Sequence, residues 1–135
     1  EYHAVLWQNG TMSDLGTLNG GDSFAYGIND SGQVAGWAAA TGNVVTHATI
    51  WDGPTITDLN SFLDADTVSA GWVLQEARGI NDKGWIVGAA HNILTGQDHA
   101  FLMSSAVAPA PATLALLALG LAGLGFSRRS SSVHR

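Results

Sequence analysis

Apolar and polar positions in residues 1–103 alternate in short runs broken by Gly, Asn and Asp, the pattern of strands joined by tight turns. Phe24 to Asn29 and Gln33 to Ala38 flank Asp30-Ser31-Gly32, whose glycine can take the positive φ that tight hairpins require, so this segment reads as a hairpin. A third strand carries His47-Ala48-Thr49-Ile50-Trp51, and a fourth runs through Thr55 to Leu59 after a Gly53-Pro54 turn. The pattern then changes completely. Thr113 to Phe126 contains only Thr, Leu, Ala, Gly and Phe, and Arg128-Arg129 follow it, an arrangement that stops transfer with the arginines on the cytoplasmic side. This run is short against the roughly 20 residues a bilayer core requires, and reaches that length only by including Ala106 to Pro111. A proline-containing motif, an apolar tail and basic residues, in that order, form a hydrophobic signal that is read and then removed. A permanent single-span anchor is the alternative.

The strand pattern repeats. His3-Ala4-Val5-Leu6-Trp7 recurs as His47-Ala48-Thr49-Ile50-Trp51, 44 positions on, and as His99-Ala100-Phe101-Leu102-Met103, a further 52 on. Between these, Gly27-Ile28-Asn29-Asp30-Ser31-Gly32-Gln33-Val34-Ala35-Gly36 recurs as Gly79-Ile80-Asn81-Asp82-Lys83-Gly84-Trp85-Ile86-Val87-Gly88, and Ser13-Asp14-Leu15 is echoed by Thr57-Asp58-Leu59. The eight extra residues of the second period fall between Leu59 and Gly79. Four strands per unit at a period of about 45 residues is the blade length of a β-propeller. Residues 3–18 supply the last two strands of a blade, 24–59 a whole blade and 72–103 the first three strands of another. Because propellers close with about four to eight blades, this count makes a partial ring and the C-terminal part of a longer protein.

Two family resemblances rest on these residues. The stretch Val107-Ala108-Pro109-Ala110-Pro111-Ala112-Thr113-Leu114-Ala115-Leu116, with Gly120-Leu121-Ala122-Gly123-Leu124 and the arginine pair, resembles the PEP-CTERM sorting domain of Gram-negative bacteria, with Ala110 where that family usually has Glu. That resemblance implies processing by an exosortase, a membrane-embedded cysteine transpeptidase. The repeats resemble the HAF repeat of bacterial extracellular proteins: Asp14-Leu15-Gly16-Thr17-Leu18-Asn19-Gly20-Gly21 follows its Asp-Leu-Gly-Thr-Leu-Gly-Gly motif with Asn19 inserted, and His99-Ala100-Phe101 is the literal motif. It implies a propeller-like surface protein and no defined activity.

Charge and composition narrow the partners. Residues 1–108 hold all eleven acids against Arg78 and Lys83, a balance of −9 that excludes the Lys/Arg-rich surface nucleic acids require. The chain has no cysteine, so no disulfide framework and no catalytic thiol are available. Gly-x-Ser-x-Gly is absent. His3, His47 and His99 stand at equivalent positions of separate units, too far apart to converge on zinc at about 2 Å, and are expected to bond a neighbouring strand instead. His91 and His99 lie on adjacent strands without a third ligand. Asp30 and Asp82 belong to Asn-Asp-x-Gly turns, where Asn and Asp stabilise the turn itself; Asp64 and Asp66 in the insertion are the alternative candidates for a weak cation site. Trp7 and Trp51 are repeat-equivalent and are expected to pack between blades. Trp37, Trp72 and Trp85 break the repeat and are the candidate stacking faces for a sugar.

These readings combine into one expectation. The chain is all-β, a partial β-propeller of repeated four-stranded antiparallel blades over residues 1–103, followed by a Pro/Ala linker with the sorting motif Pro109-Ala110-Pro111 over 104–112. A transmembrane helix over 113–127 and a basic cytoplasmic tail over 128–135, begun by the stop-transfer residues Arg128 and Arg129, complete it. Such a protein is exported, held in the inner membrane before processing, and then placed at the cell surface or in the extracellular matrix. Its expected partners are an exosortase-type enzyme, the membrane and exopolysaccharide, with no nucleic acid, metal or cofactor and no catalysis. A fragment of a secreted polysaccharide-acting enzyme and a passive membrane-tethered spacer are the rival readings.

Overall fold

The computed structural model of the protein describes residues 1–41 and 45–104. The sorting motif at Pro109, Ala110 and Pro111, the helix expected over 113–127, Arg128, Arg129 and the basic tail lie outside the described residues. No helix among the described residues is long and apolar enough to cross a membrane.

Strand pairing follows the turns. Asn9-Gly10, both at positive φ (52° and 78°), join β1 (Val5–Gln8) to β2 (Thr11–Asp14) as a two-residue hairpin that matches the natural strand twist. β3 (Ser23–Ile28), β4 (Val34–Ala39), β5 (Thr46–Asp52) and β6 (Thr55–Asp58) form a four-stranded antiparallel sheet in sequence order. β7 (Trp72–Ile80), β8 (Ile86–Asn92) and β9 (Asp98–Met103) form a three-stranded one. The three sheets are antiparallel throughout and do not close into a ring.

The Asn-Asp-x-Gly turns work as their sequence implies. In the first, Asn29 N donates to Gln33 O at 3.1 Å, Gly32 N donates to Asn29 O at 3.0 Å, and the Asn29 side-chain oxygen accepts from Ser31 and Gln33 N. Asn81 repeats the arrangement with Gly84, Lys83 and Trp85. Downstream of each turn lies a glycine without which the strands could not pair as they do. β3 and β7 carry bulges, and there a Cβ on Gly36 would run into the carbonyl of Phe24, and one on Gly88 into the carbonyl of Glu76.

The core lies between sheets. Alternate residues of β4 and β5 point to opposite faces: Val34, Ala38 and Trp51 meet Ala4, Leu15 and Leu18 of the first sheet and its loop, while Ala35, Ala48 and Ile50 meet Leu74, Ala77, Ile86 and Ala90 of the third. The middle sheet is therefore covered on both faces, which is why β4 reads Val-Ala-Gly-Trp-Ala-Ala with no charged position. Polar bridges tie the same joints. Buried Ser23 accepts from Ala4 N and donates to Gly16 O, and Asn60 both accepts from Leu74 N and donates to Leu74 O.

One expectation needs correction. Trp51 is buried at 1% exposure, but its counterpart Trp7 is 69% exposed, because no sheet among the described residues covers the outer side of the first hairpin as that hairpin covers Trp51. The insertion after Leu59 is helical, a 3-10 turn (Leu59–Phe62) and α1 (Ala65–Ser69), with Asp58 and Asp64 accepting from Asn60 N and Thr67 N at their starts. Elements this short carry no hydrophobic period to read.

The two bulge glycines give a direct test. Gly36→Ala and Gly88→Ala should each lower stability by about 1–3 kcal/mol through overpacking. Gly27→Ala, whose Cβ would meet its nearest atom at 3.6 Å, should change it by less than about 0.5 kcal/mol. Urea midpoints of the three variants decide the point.

Candidate functional site

β3 is an edge strand, and two of its exposed side chains, Phe24 and Tyr26, are aromatic where water-facing residues are ordinarily polar. Phe24 and Tyr26 lie two residues apart on it, and β4 places Trp37 directly opposite Phe24. The Phe24 and Trp37 rings stack with centroids 5.3 Å apart and planes 17° from parallel, and Tyr2 lies against Phe24 at 6.1 Å. Trp37 Nε1 donates to the Tyr26 hydroxyl at 3.1 Å. Over the Tyr26 ring stands the Arg78 guanidinium, 5.6 Å from the ring centroid and paired to Glu76 at 2.7 Å. Tyr2, Phe24 and Tyr26 are 70%, 43% and 46% exposed, so this is a contiguous aromatic surface with polar groups at its rim.

The cluster belongs to one sheet only. At the repeat-equivalent places of the third sheet, Glu76, Arg78 and Ala89 replace Phe24, Tyr26 and Trp37. Scaffold demands common to both sheets therefore do not account for the aromatics. Of the three tryptophans singled out from sequence, Trp37 joins this surface. Trp72 and Trp85 stand at opposite ends of the β7–β8 hairpin, Trp72 against the His99 ring at 4.8 Å and Trp85 44% exposed beside the turn. The structure does not bring the three together. Tyr2, Phe24 and Tyr26 are not among the residues singled out from sequence; the signal for Phe24 and Tyr26 is an i, i+2 aromatic pair facing Trp37 across a readable hairpin.

The titratable groups are spoken for elsewhere. His3 Nδ1 lies 2.6 Å from Asp14 at the end of β2, and His47 Nδ1, near the start of β5, lies 2.6 Å from Asp58 at the end of β6. His91 pairs with Asp98 at 2.7 Å. His99 has no such carboxylate and takes Trp72 as its neighbour. The hydrogen bond that the His3 ring donates to the Asp14 carboxylate raises the His3 pKa above its ordinary 6.5, and the same bond lowers that of Asp14. Asp82 sits beside Asp30, accepting from its N–H at 2.8 Å, and its carboxyl raises the Asp30 pKa, so these two acids brace adjacent turns. Asp64 is held low by the Thr67 N–H it caps. Among the described residues no group of three His, Asp or Glu side chains is placed to hold a metal. Flat aromatic faces, two phenolic hydroxyls and one guanidinium can bind a ring-shaped neutral ligand by stacking and hydrogen bonding.

Comparison with known proteins bears on the tail. Residues 107–129 match the PEP-CTERM protein-sorting motif, a stretch that contains Pro109, Ala110, Pro111, Arg128 and Arg129. No curated protein and no solved structure matches the chain. The motif marks an exported protein, associated with the membrane during sorting and recognised by an exosortase-type processing enzyme.

The His3–Asp14 pair predicts a pH window. A raised His3 pKa contributes stability that is fully present below pH 6.5 and is lost as pH climbs through the raised value; a lowered Asp14 pKa contributes stability present above pH 3.8 and lost as pH falls through the lowered one. The first hairpin should thus be held best between those limits. An NMR titration should give His3 a midpoint above 6.5, moving back toward 6.5 in Asp14→Asn; a wild-type midpoint at or below 6.5 refutes the pairing.

Proposed function

We infer that the chain is a non-enzymatic surface or extracellular-matrix protein built from HAF-type repeats in propeller-like blades, and that it associates with exopolysaccharide through the Phe24–Trp37–Tyr26 surface. The observation that carries the reading is that aromatic surface on an exported protein: a cluster confined to one repeat, stacked, and open to solvent. The repeated sheets of antiparallel strands, with equivalent cores on either side of the middle one, support the blade reading. With a balance of −9 over residues 1–108, the protein repels uronic-acid polymers, so neutral or amino-sugar chains are the matching class. Once exosortase cleaves near Pro111, the repeats become free of the membrane and enter the matrix.

Affinity electrophoresis of the full chain through gels containing neutral, amino-sugar and uronic-acid polysaccharides tests the ligand reading. Retardation by the first two classes is expected, with a fall of about tenfold in apparent affinity for Trp37→Ala and Phe24→Ala, in line with loss of a central aromatic contact, and no change for Trp85→Ala. Release of sugar products would instead make the protein an enzyme, and migration unaffected by any polymer would make it a spacer. The sorting reading has its own readout. Protein recovered from its host should end near Pro111 by mass; an intact Arg135 would show a permanent anchor.

A further inference from the structure

The third sheet lacks, among the described residues, the strand that β6 supplies to the second. In the second sheet β6 does two things. Asp58, opposite Thr49, bonds His47 at 2.6 Å, and Ile56, opposite Trp51, packs on the cluster of Ala4, Val34, Ala38 and Trp51. β9 presents the same receptor. His99, Phe101 and Met103 occupy the positions of His47, Thr49 and Trp51, and Ala48, Ile86 and Ala90 stand where Ala4, Val34 and Ala38 stand one joint earlier.

At the station that Ile56 fills in the second sheet there is instead a groove of about 300 Å³, lined by Leu63, Trp72, Phe101 and Met103 among others. His99 lies on the same wall. One apolar receptor and one histidine without a carboxylate thus coincide along a strand edge that is unpaired among the described residues.

The occupant can be specified from its counterpart. It must be extended, to pair with β9, and must carry an acid opposite Phe101 and a branched apolar residue two positions earlier, opposite Met103. Residues 105–135 contain no Asp or Glu, so that stretch cannot supply the acid. The chain's two Asp-Leu strands are both engaged, Asp14 with His3 and Asp58 with His47, which argues against a second copy. We propose that the free edge of β9 is a strand-docking site for a partner segment of the pattern Ile-Thr-Asp-Leu, whose carboxylate bonds His99 and whose isoleucine fills the groove beside Met103. Docking exchanges the Trp72 contact of His99 for a charge-assisted hydrogen bond of the kind already present at His3 and His47.

A labelled peptide with the sequence of residues 53–60, Gly-Pro-Thr-Ile-Thr-Asp-Leu-Asn, is the probe. Added to the full chain in mild detergent and followed by fluorescence anisotropy, it should bind saturably. Affinity should fall by about tenfold or more when its Asp is replaced by Ala, when its Ile is replaced by Asp, or when the chain carries His99→Ala. The peptide variants keep the test independent of whether His99→Ala folds. Absence of binding, or binding indifferent to both peptide changes, overturns the proposal. So does a dimer whose β9 amides resist hydrogen exchange without peptide, which would give the edge to a second copy.

Discussion

None of the three sheets can bury its own apolar face, so everything else in this structure depends on the contact of one sheet with the next. An isolated two-stranded hairpin such as the first sheet is marginal alone, and the chain has no disulfide to compensate. Stability therefore arises at the joints, where small residues of β4 and β8 (Ala35, Ala38, Ala90) let the sheets approach and where Trp51, Ile50, Leu59 and Ile86 are completely enclosed. Enclosing one such side chain is worth about 1.5–3 kcal/mol. The same motif position has opposite fates at the two sides of a joint, as Trp51 and Trp7 show.

The letters that recur along the chain each meet a mechanical need of that arrangement. Histidine at the head of one strand bonds the aspartate at the end of the next, the asparagine side chain closes its own turn, and the last glycine of the ten-residue motif admits a bulged carbonyl. Asn29 also reaches across to Asn81 O at 3.1 Å, so the turns of neighbouring sheets are joined as well as separately closed. Recurrence here measures scaffold. Chemistry particular to this protein has to be sought where recurrence fails, and Phe24, Tyr26 and Trp37 are such positions.

Much of this was legible in the residues because the fold is local in sequence. The β3–β4 hairpin could be read from Asp30-Ser31-Gly32, and the strands that follow it from the His-Ala motif and the Gly53-Pro54 turn. The partner of the repeat histidines was also open to reading: His3 precedes Asp14, and His47 precedes Asp58, by the same eleven residues. What sequence could not convey is what lies across a joint. Trp7 and Trp51 hold the same position of the repeated motif but have different neighbours in space, and α1 is set by the cap at Asp64 and the packing around Leu63 rather than by any period of its own. The aromatic surface falls between these cases, since its members are local but their exposure is not.

A fold made of joints also places its liabilities. A sheet with an unpaired edge shows main-chain donors and acceptors to any extended segment, and proteins commonly blunt such edges with lysine, proline or charge. β9 is not blunted in this way. Beyond Asp98, which His91 engages, its sequence His-Ala-Phe-Leu-Met holds no acid, lysine or proline, and Leu102 is 62% exposed. By contrast β3, the edge of the middle sheet, is covered with stacked rings, and Arg78 from the next sheet lies across one of them. The two edges differ in what they present: side chains dominate one, and main chain dominates the other.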